Sequence, residues 1–361
     1  MSSDQRCASV REKLEGAAEA FISASSANVR YLTDFDGVFD AEPASLAVLT
    51  PSGQWIVTDS RYVEAVRRAA AGTLWQVALT SSDLAQTASQ ILTDSGVSRV
   101  ALETTIEHRQ WKHFVEVLGV DVVEADGWVE GVRAVKDPEE IRRIGVSQEL
   151  TDRAFDHILT VLRAGMRESE ISLELEVFMR RNGSDGVAFP PIVASGPNSS
   201  SPHASVSERA LQDGDFVVLD FGARVEGYCS DMTRTVVVGR ATDRHREIYD
   251  AVLAANLAGI AALRAGIPGR EVDAAARAVI EAAGFGEHFG HGLGHGVGLE
   301  VHEAPGVGPR SAGELPVGAV VTVEPGIYIP EFGGVRIEDL AVLESDGVRV
   351  FTSSTKDLLE V

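Results

Sequence analysis

Four histidines fall within nineteen residues in HFGHGLGHGVGLEVHEAPG, residues 288–306, interleaved with six glycines and with no lysine or arginine. Imidazoles serve as metal ligands and as proton carriers near neutral pH. Glycine lets a backbone turn sharply or come close to a neighbour. The stretch therefore reads as one part of a site whose other members lie elsewhere in the chain.

Acids supply the rest. LQDGDFVVLDFGARVEGYCSDMTRTVVV (211–238) is repeated in outline by LPVGAVVTVEPGIYIPEFGGVRIEDLAVL (315–343), and LRAGMRESEIS (162–172) by LRAGIPGREVD (263–273). Asp220 follows Leu211 by the interval at which Glu324 follows Leu315, and Asp231 and Glu338 come later in the same two segments. Each copy thus offers two carboxylates from neighbouring strands. In FVVLDFG the aspartate stands inside an apolar run, and a buried carboxylate needs a partner or a metal. A pair of divalent cations would satisfy four carboxylates and one imidazole, all hard or borderline donors. A strand-end acid taken alone is ordinarily solvated or capping; the repeat-matched positions favour the metal reading.

Other residues are weighed the same way. His203, in the serine-rich GPNSSSPHA (196–204), belongs either to an ordinary loop or to a mobile segment that lends it to the site. His288 reads as structural, and His108, His113, His157 and His245 lie on charged helical stretches that give them no role. Cys229, beside Asp231, reads as a small buried side chain. There is no G-x-S-x-G elbow and no phosphate loop, and GHGLGHGVG lacks the strand context of a dinucleotide fingerprint.

The elements that must position these residues form two regions. Residues 1–131 read as an α/β unit. REKLEGAAEAFISASS begins helical and runs into a strand, SLAVLTPSGQWIVTD makes two strands about PSG, and VSRVALE makes another. RYVEAVRRAA and HRQWKHFVEVLG have helical spacing. Asp137-Pro138-Glu139-Glu140 marks a helix start with aspartate as N-cap and proline at the first position. A second domain, 132–361, therefore begins near Val132. Each of its copies reads as helix, RAG turn, helix and β-hairpin, at a period too long for a solenoid.

Composition sets the bounds. The 361 residues are 44% hydrophobic and 24% charged, with a formal net charge of -22. That balance suits a globular chain with a full core and disfavours binding to nucleic acid or anionic membranes. No apolar run is long enough to span a bilayer, and MSSDQRCASVREKLEG lacks the hydrophobic segment of a secretory signal. Cys7 and Cys229 are too few for a disulfide framework. A cytoplasmic location is expected.

Asp220, Asp231, His295, Glu324 and Glu338 stand in the order of the five metal ligands of the pita-bread metallopeptidases, a group that includes methionine aminopeptidase, aminopeptidase P, prolidase and the metal-free creatinase. LDFGARVEGYCSDMTRT, HGLGHGVGLEVHEAPG, VEPGIYIP and GGVRIED resemble the Xaa-Pro branch, aminopeptidase P and prolidase. NVRYLTDF, TDSRY and VKDPEEIRRI resemble that branch's N-terminal domain and linker. The resemblance implies an α+β pita-bread catalytic domain built by internal duplication, preceded by a smaller α/β creatinase-like domain.

It also implies roles. Asp220 would chelate one divalent metal, Asp231 and Glu338 would bridge two, and His295 and Glu324 would hold the second. Manganese is the expected metal, with cobalt, zinc or iron also used in the family. His203 and His302 would contact the scissile carbonyl and the departing side, and His291 would line the substrate pocket. Arg336 would order the bridging acid and the substrate. Such metals lower the pKa of a water nucleophile, the metal and a histidine stabilise the oxyanion, and Glu324 would carry the proton to the proline nitrogen. The partners expected are proline-containing peptides and a second copy of the chain in a homodimer.

The glycines at 290, 292, 294, 296 and 298 would let the loop approach metal and substrate, or else pack the two halves tightly. All five ligands are present, which speaks against a creatinase-like metal-free reaction and against a binding-only relative. A methionine aminopeptidase lacks the N-terminal region, and a lyase variant of the fold is a further rival. The hairpin PGIYIPEFGGVRI has Arg336 as its only arginine, and Arg310 is the nearby spare. With so little to clamp a free carboxylate, the expectation leans to an Xaa-Pro aminopeptidase that releases the residue before proline. The alternative is an Xaa-Pro dipeptidase (prolidase).

Overall fold

Met1–Arg133 and Ala134–Val361 fold as separate units in the computed structural model, which describes residues 1–39, 44–81 and 83–361. In the first unit, apolar and β-branched runs form a six-stranded sheet. Its order is Trp75–Leu79, Gly53–Thr58, Ser45–Thr50, Ala20–Ser23, Arg99–Glu103, Asp121–Ala125. The pairing is mixed. The strands about Pro51 and Ser52 are antiparallel, from Ser45 opposite Thr58 to Thr50 opposite Gly53, whereas Ala20–Ser23 and Arg99–Glu103 run parallel. Ile22, Leu46, Val48 and Leu102 are fully buried with Leu92 and Phe114 of the helices Leu84–Asp94 and His108–Val117.

The second unit is built twice over. Asp137 caps the helix Pro138–Val161 by accepting from the backbone N–H groups of Glu139 and Glu140, with proline in the first turn. A turn through Gly165 leads to the helix Glu168–Arg181. The second copy has Asp243–Ala262, a turn through Gly266, and Gly269–Ala282. Both glycines need left-handed backbone, at φ 86° and 82°. Both then donate to the first residue of the repeated strand segment, Gly165 to the Leu211 carbonyl at 2.9 Å and Gly266 to that of Leu315 at 2.8 Å.

Each helix pair packs on its own strands. Phe155, Ile158, Leu175 and Met179 are buried against Val217 and Leu219 in the first copy. Val252, Ala255, Val272 and Ala276 meet Val321, Val323 and Ile337 in the second. Each large apolar side chain so buried contributes about 1.5–3 kcal/mol. Among the described residues, no helix is long and apolar enough to cross a membrane.

The expected hairpins are more elaborate than simple ones. Phe216–Phe221 and Met232–Val237 pair antiparallel with Asp220 opposite Thr233, but Ala223–Val225 and Tyr228–Cys229 form a small ladder between them. Val320–Val323 pairs with Asp339–Glu344, and Gly326–Ile329 with Gly333–Arg336 makes the corresponding insertion.

Candidate active site

Asp220 lies one residue from the end of its strand, and Asp231 stands just before the partner strand begins; Glu324 and Glu338 hold the matching places in the second copy. The strands FVVLDF and VVTV are buried throughout, so the acids at their ends cannot turn outward to water. His295 is carried by Gly294–Gly296, the strand beside Val320–Val323. The result is a cavity of about 270 Å³ in the second unit. His203, Asp220, Asp231, His291, His295, His302, Glu324, Arg336 and Glu338 all line it, with Phe189, Ile192 and Val301 as apolar wall.

One ligand atom each from Asp231, His295 and Glu338 lies within 4.8 Å of the others. His295 Nε2 is 3.3 Å from Glu324 Oε1 and 3.6 Å from Asp231 Oδ2. The other members are held from behind. Arg336 donates to Asp220 Oδ2 at 2.5 Å, to the Tyr328 hydroxyl at 2.8 Å, to Thr233 Oγ1 at 3.0 Å and to the Pro202 carbonyl at 3.3 Å. Thr233 in turn donates to Glu338 Oε2 at 2.7 Å. Thr322 accepts from the His295 backbone at 3.0 Å and donates to Glu324 Oε1 at 3.3 Å. His291 Nε2 lies 3.0 Å from the Tyr328 hydroxyl. The rings of His295 and His302 meet edge to face, 4.2 Å between centroids.

The electrostatics of this cluster favour a cation. Burial drives the Asp231 carboxyl well above its usual range, and the charges of Glu338 and Asp220 push the same way. Glu338 is driven up by burial and then by Glu324 and Asp220. Burial also raises Asp220, against the opposing pull of Arg336. Glu324 behaves differently: burial raises it, but the hydrogen bond and charge of His295 prevail and hold it down at about 2. The same pair holds His295 up at about 9, against burial. Burial lowers His291 and His302, so both rings are neutral near neutral pH.

Three carboxylate oxygens test whether a metal fits. Asp220 Oδ1, Asp231 Oδ1 and Glu338 Oε1 are buried without a hydrogen-bond partner. An orphaned buried acceptor costs about 1–3 kcal/mol and more for a charged group, and all three residues line one cavity. Divalent cations would satisfy them and replace the protons that crowding otherwise imposes. The oxygen-rich donor set with one imidazole fits such ions.

Residues read as bystanders lie away from the cavity. His113 bonds Asp83 at 2.7 Å, His157 bonds Glu174 at 2.7 Å, and His245 completes the capping box of its helix with Thr242. His288 does not line the cavity. Arg310, the spare arginine, is exposed and is not part of the wall. Cys229 is buried beside Ile144, Val297 and Leu340.

Three of the five glycines, Gly294, Gly296 and Gly298, serve close packing within the second copy. A Cβ at Gly294 would collide with the Thr322 carbonyl, one at Gly296 with Ala304, and one at Gly298 with the Glu303 carboxylate. Gly290 has open space around it. Sequence reasoning missed Thr233 and Tyr328. Both stood in quoted strings, MTRT and VEPGIYIP, but hydroxyls carry no signal until their partners are known.

The comparisons agree with this geometry. An Xaa-Pro dipeptidase from Pyrococcus furiosus is 38% identical over 72% of this chain and 75% of its own length. Among solved structures, an Xaa-Pro dipeptidase from Bacillus anthracis superposes with a TM-score of 0.93 at 37% identity, covering 100% of both chains. An X-Pro aminopeptidase from Thermotoga maritima gives 0.85 at 35% identity, covering 97% of this chain and 99% of its own. Residues 6–135 match the creatinase/prolidase N-terminal domain and residues 142–345 match metallopeptidase family M24, to which this chain belongs.

Proposed function

We propose that the chain is an Xaa-Pro dipeptidase, a prolidase that cleaves the bond before proline in dipeptides with the help of two divalent metal ions. The observation that carries this is the set of orphaned oxygens on Asp220, Asp231 and Glu338, gathered with His295 and Glu324 in one small cavity. The expectation of an aminopeptidase gives way to its alternative. The names of the relatives favour a dipeptidase, and a cavity of about 270 Å³ falls just below the roughly 300–1,000 Å³ usual for small-molecule sites, which suits a short substrate.

In this reading Asp220, Asp231, His295, Glu324 and Glu338 would hold the two ions. Bound there, the ions supply Lewis acidity at the peptide carbonyl and lower the pKa of the attacking water. His203 and His302 contact the carbonyl and the departing side. Glu324, ionised beside His295, carries a proton to the proline nitrogen. Arg336 fixes Asp220 and, through Tyr328, the neutral His291 that lines the substrate pocket. Carboxylate-rich coordination favours manganese, with cobalt, zinc or iron as substitutes. We extend the proposal to a homodimer in the cytoplasm, the latter supported by two buried cysteines that form no disulfide.

One observation favours the aminopeptidase reading. Among the described residues Arg336 is the only arginine on the cavity wall, and its N–H groups are already engaged, so no spare guanidinium awaits a free carboxylate. The deciding assay compares Xaa-Pro with Xaa-Pro-Yaa at matched concentration with manganese supplied. Faster cleavage of the dipeptide supports the proposal; cleavage of the tripeptide alone overturns it in favour of the aminopeptidase; cleavage of neither removes the Xaa-Pro reading.

A further inference from the structure

Glu168 is fully buried at the start of the helix Glu168–Arg181, and it is not part of the cavity. Its carboxylate accepts from the Ser195 N–H and hydroxyl, both at 2.7 Å, and from Asn198 Nδ2 at 3.1 Å. On the far side it accepts from the Ser207 N–H at 3.1 Å and hydroxyl at 2.6 Å. Arg209, paired with Asp215, donates to the same Ser195 hydroxyl at 2.6 Å. One carboxylate thus ties together the two ends of the loop that runs from Ser195 to Ser207. His203 stands at the exposed tip of that loop. Nearer the tip, Gly334 donates to Ser199 Oγ at 2.9 Å, Arg336 donates to the Pro202 carbonyl, and Ala204 donates within the loop to the Ser201 carbonyl at 3.2 Å.

From this geometry we infer that Glu168 is the positioning residue for His203. Its side chain closes the base of the loop and so fixes where the imidazole stands at the mouth of the cavity. The physical case is entropic. The bonds beside His203 are local ones, Ser201 N–H to the Asn198 carbonyl and Ala204 N–H to the Ser201 carbonyl, so they shape the segment without anchoring it, and the entropic cost of holding it in place falls on its base. No neutral side chain of the same shape serves, because each oxygen of Glu168 faces a backbone N–H, that of Ser195 on one side and that of Ser207 on the other. An amide in its place would turn an N–H₂ toward N–H and O–H groups, leaving at least one buried donor unpaired. The inference rests on the proposed role of His203 at the substrate.

The test uses the full-length protein loaded with manganese. Glu168→Gln is expected to keep bound metal at the wild-type level, to speed amide exchange across residues 196–207, and to lower kcat on an Xaa-Pro dipeptide about 10- to 100-fold with less change in KM, the order expected when a contacting group is displaced by about 1 Å. Combined with His203→Ala, it is expected to cause little further loss, since both changes remove the same contribution. Glu168→Asp should recover part of the rate. Unchanged exchange in the loop, or losses that simply multiply in the double variant, would overturn the assignment. If Glu168→Gln fails to fold, Ser207→Ala releases one end of the loop alone and is read the same way. The exchange measurement does not depend on the substrate: if the wild type cleaves no Xaa-Pro peptide, the proposed function fails, while the clamp is still judged by loop protection.

Discussion

Arg336 and Asp220 come from opposite copies of the repeat and meet at 2.5 Å, both buried, in the wall of the cavity. The contact leaves Asp220 Oδ1 buried without a hydrogen-bond partner in a residue that lines the cavity. A guanidinium is suited to the place because its planar fork reaches Asp220, Thr233 and Tyr328 together.

Arg336→Met should therefore strand a buried carboxylate. A loss of about 3–5 kcal/mol is expected for the metal-free protein, measured by urea denaturation. Arg336→Lys, which keeps the charge but cannot reach all three partners, should lose less stability. Equal stability of Arg336→Met and wild type would contradict the account.

Asp231→Asn should leave the fold largely intact while metal content and turnover fall together, because one oxygen of a proposed ligand becomes an amide. Metal analysis and peptidase assays on the same preparation check this. A variant with full metal and full activity would remove Asp231 from the ligand set.

His302→Ala is expected to part the two readouts. Its ring stands against His295 without being one of the five expected ligands, so metal should stay while turnover falls about 10²-fold or more, the usual worth of one proton or oxyanion partner. An unchanged kcat/KM on an Xaa-Pro peptide would exclude His302 from the reaction.

The metal-free protein should also be pH-sensitive. His295, held up at about 9 from an ordinary 6.5, contributes stability that is complete below pH 6.5 and is lost as the pH rises through 9. Asp231 and Glu338, raised by burial, bind protons more tightly folded than unfolded, so they also lose stability as the pH rises. Glu324, depressed to about 2 from 4.5, adds no slope above 4.5. The melting temperature of chelator-treated protein should fall between pH 6.5 and 9, and manganese should flatten the profile. A rise over that range would refute the charge assignment.

How far the sequence could be read depended on the range of each interaction. The cap at Asp137 and the turn glycines Gly165 and Gly266 are local, so residue type and position were enough. The four acids were aligned by the duplication itself, without any knowledge of contacts. Thr233 and Tyr328 were invisible because their partners, Glu338 and Arg336, are supplied by strand pairing. Glu168 was hidden for a related reason: an acid in a first helical turn reads as a favourable dipole contact, and only the folded loop shows it buried under five donors. The small ladder at Ala223–Val225 and Tyr228–Cys229 was missed because strands so short carry almost no periodic signal.

The duplication has a thermodynamic consequence. Asp220 and Asp231 belong to one copy and His295, Glu324 and Glu338 to the other, so with the proposed ligand set a cation would be fully coordinated only when the copies are docked. An ion held between them would act as a rivet, and at a free concentration 100 times its dissociation constant it would add about 2.7 kcal/mol to their cohesion. Linkage is reciprocal, so anything that loosens the docking must also weaken the ion's hold. A cavity-forming change deep in either helix pair, such as at Leu175 or Val272, neither of which lines the cavity, would become readable as a drop in metal affinity. Affinity for the ion is thus a gauge of how well two ancestral halves still fit together.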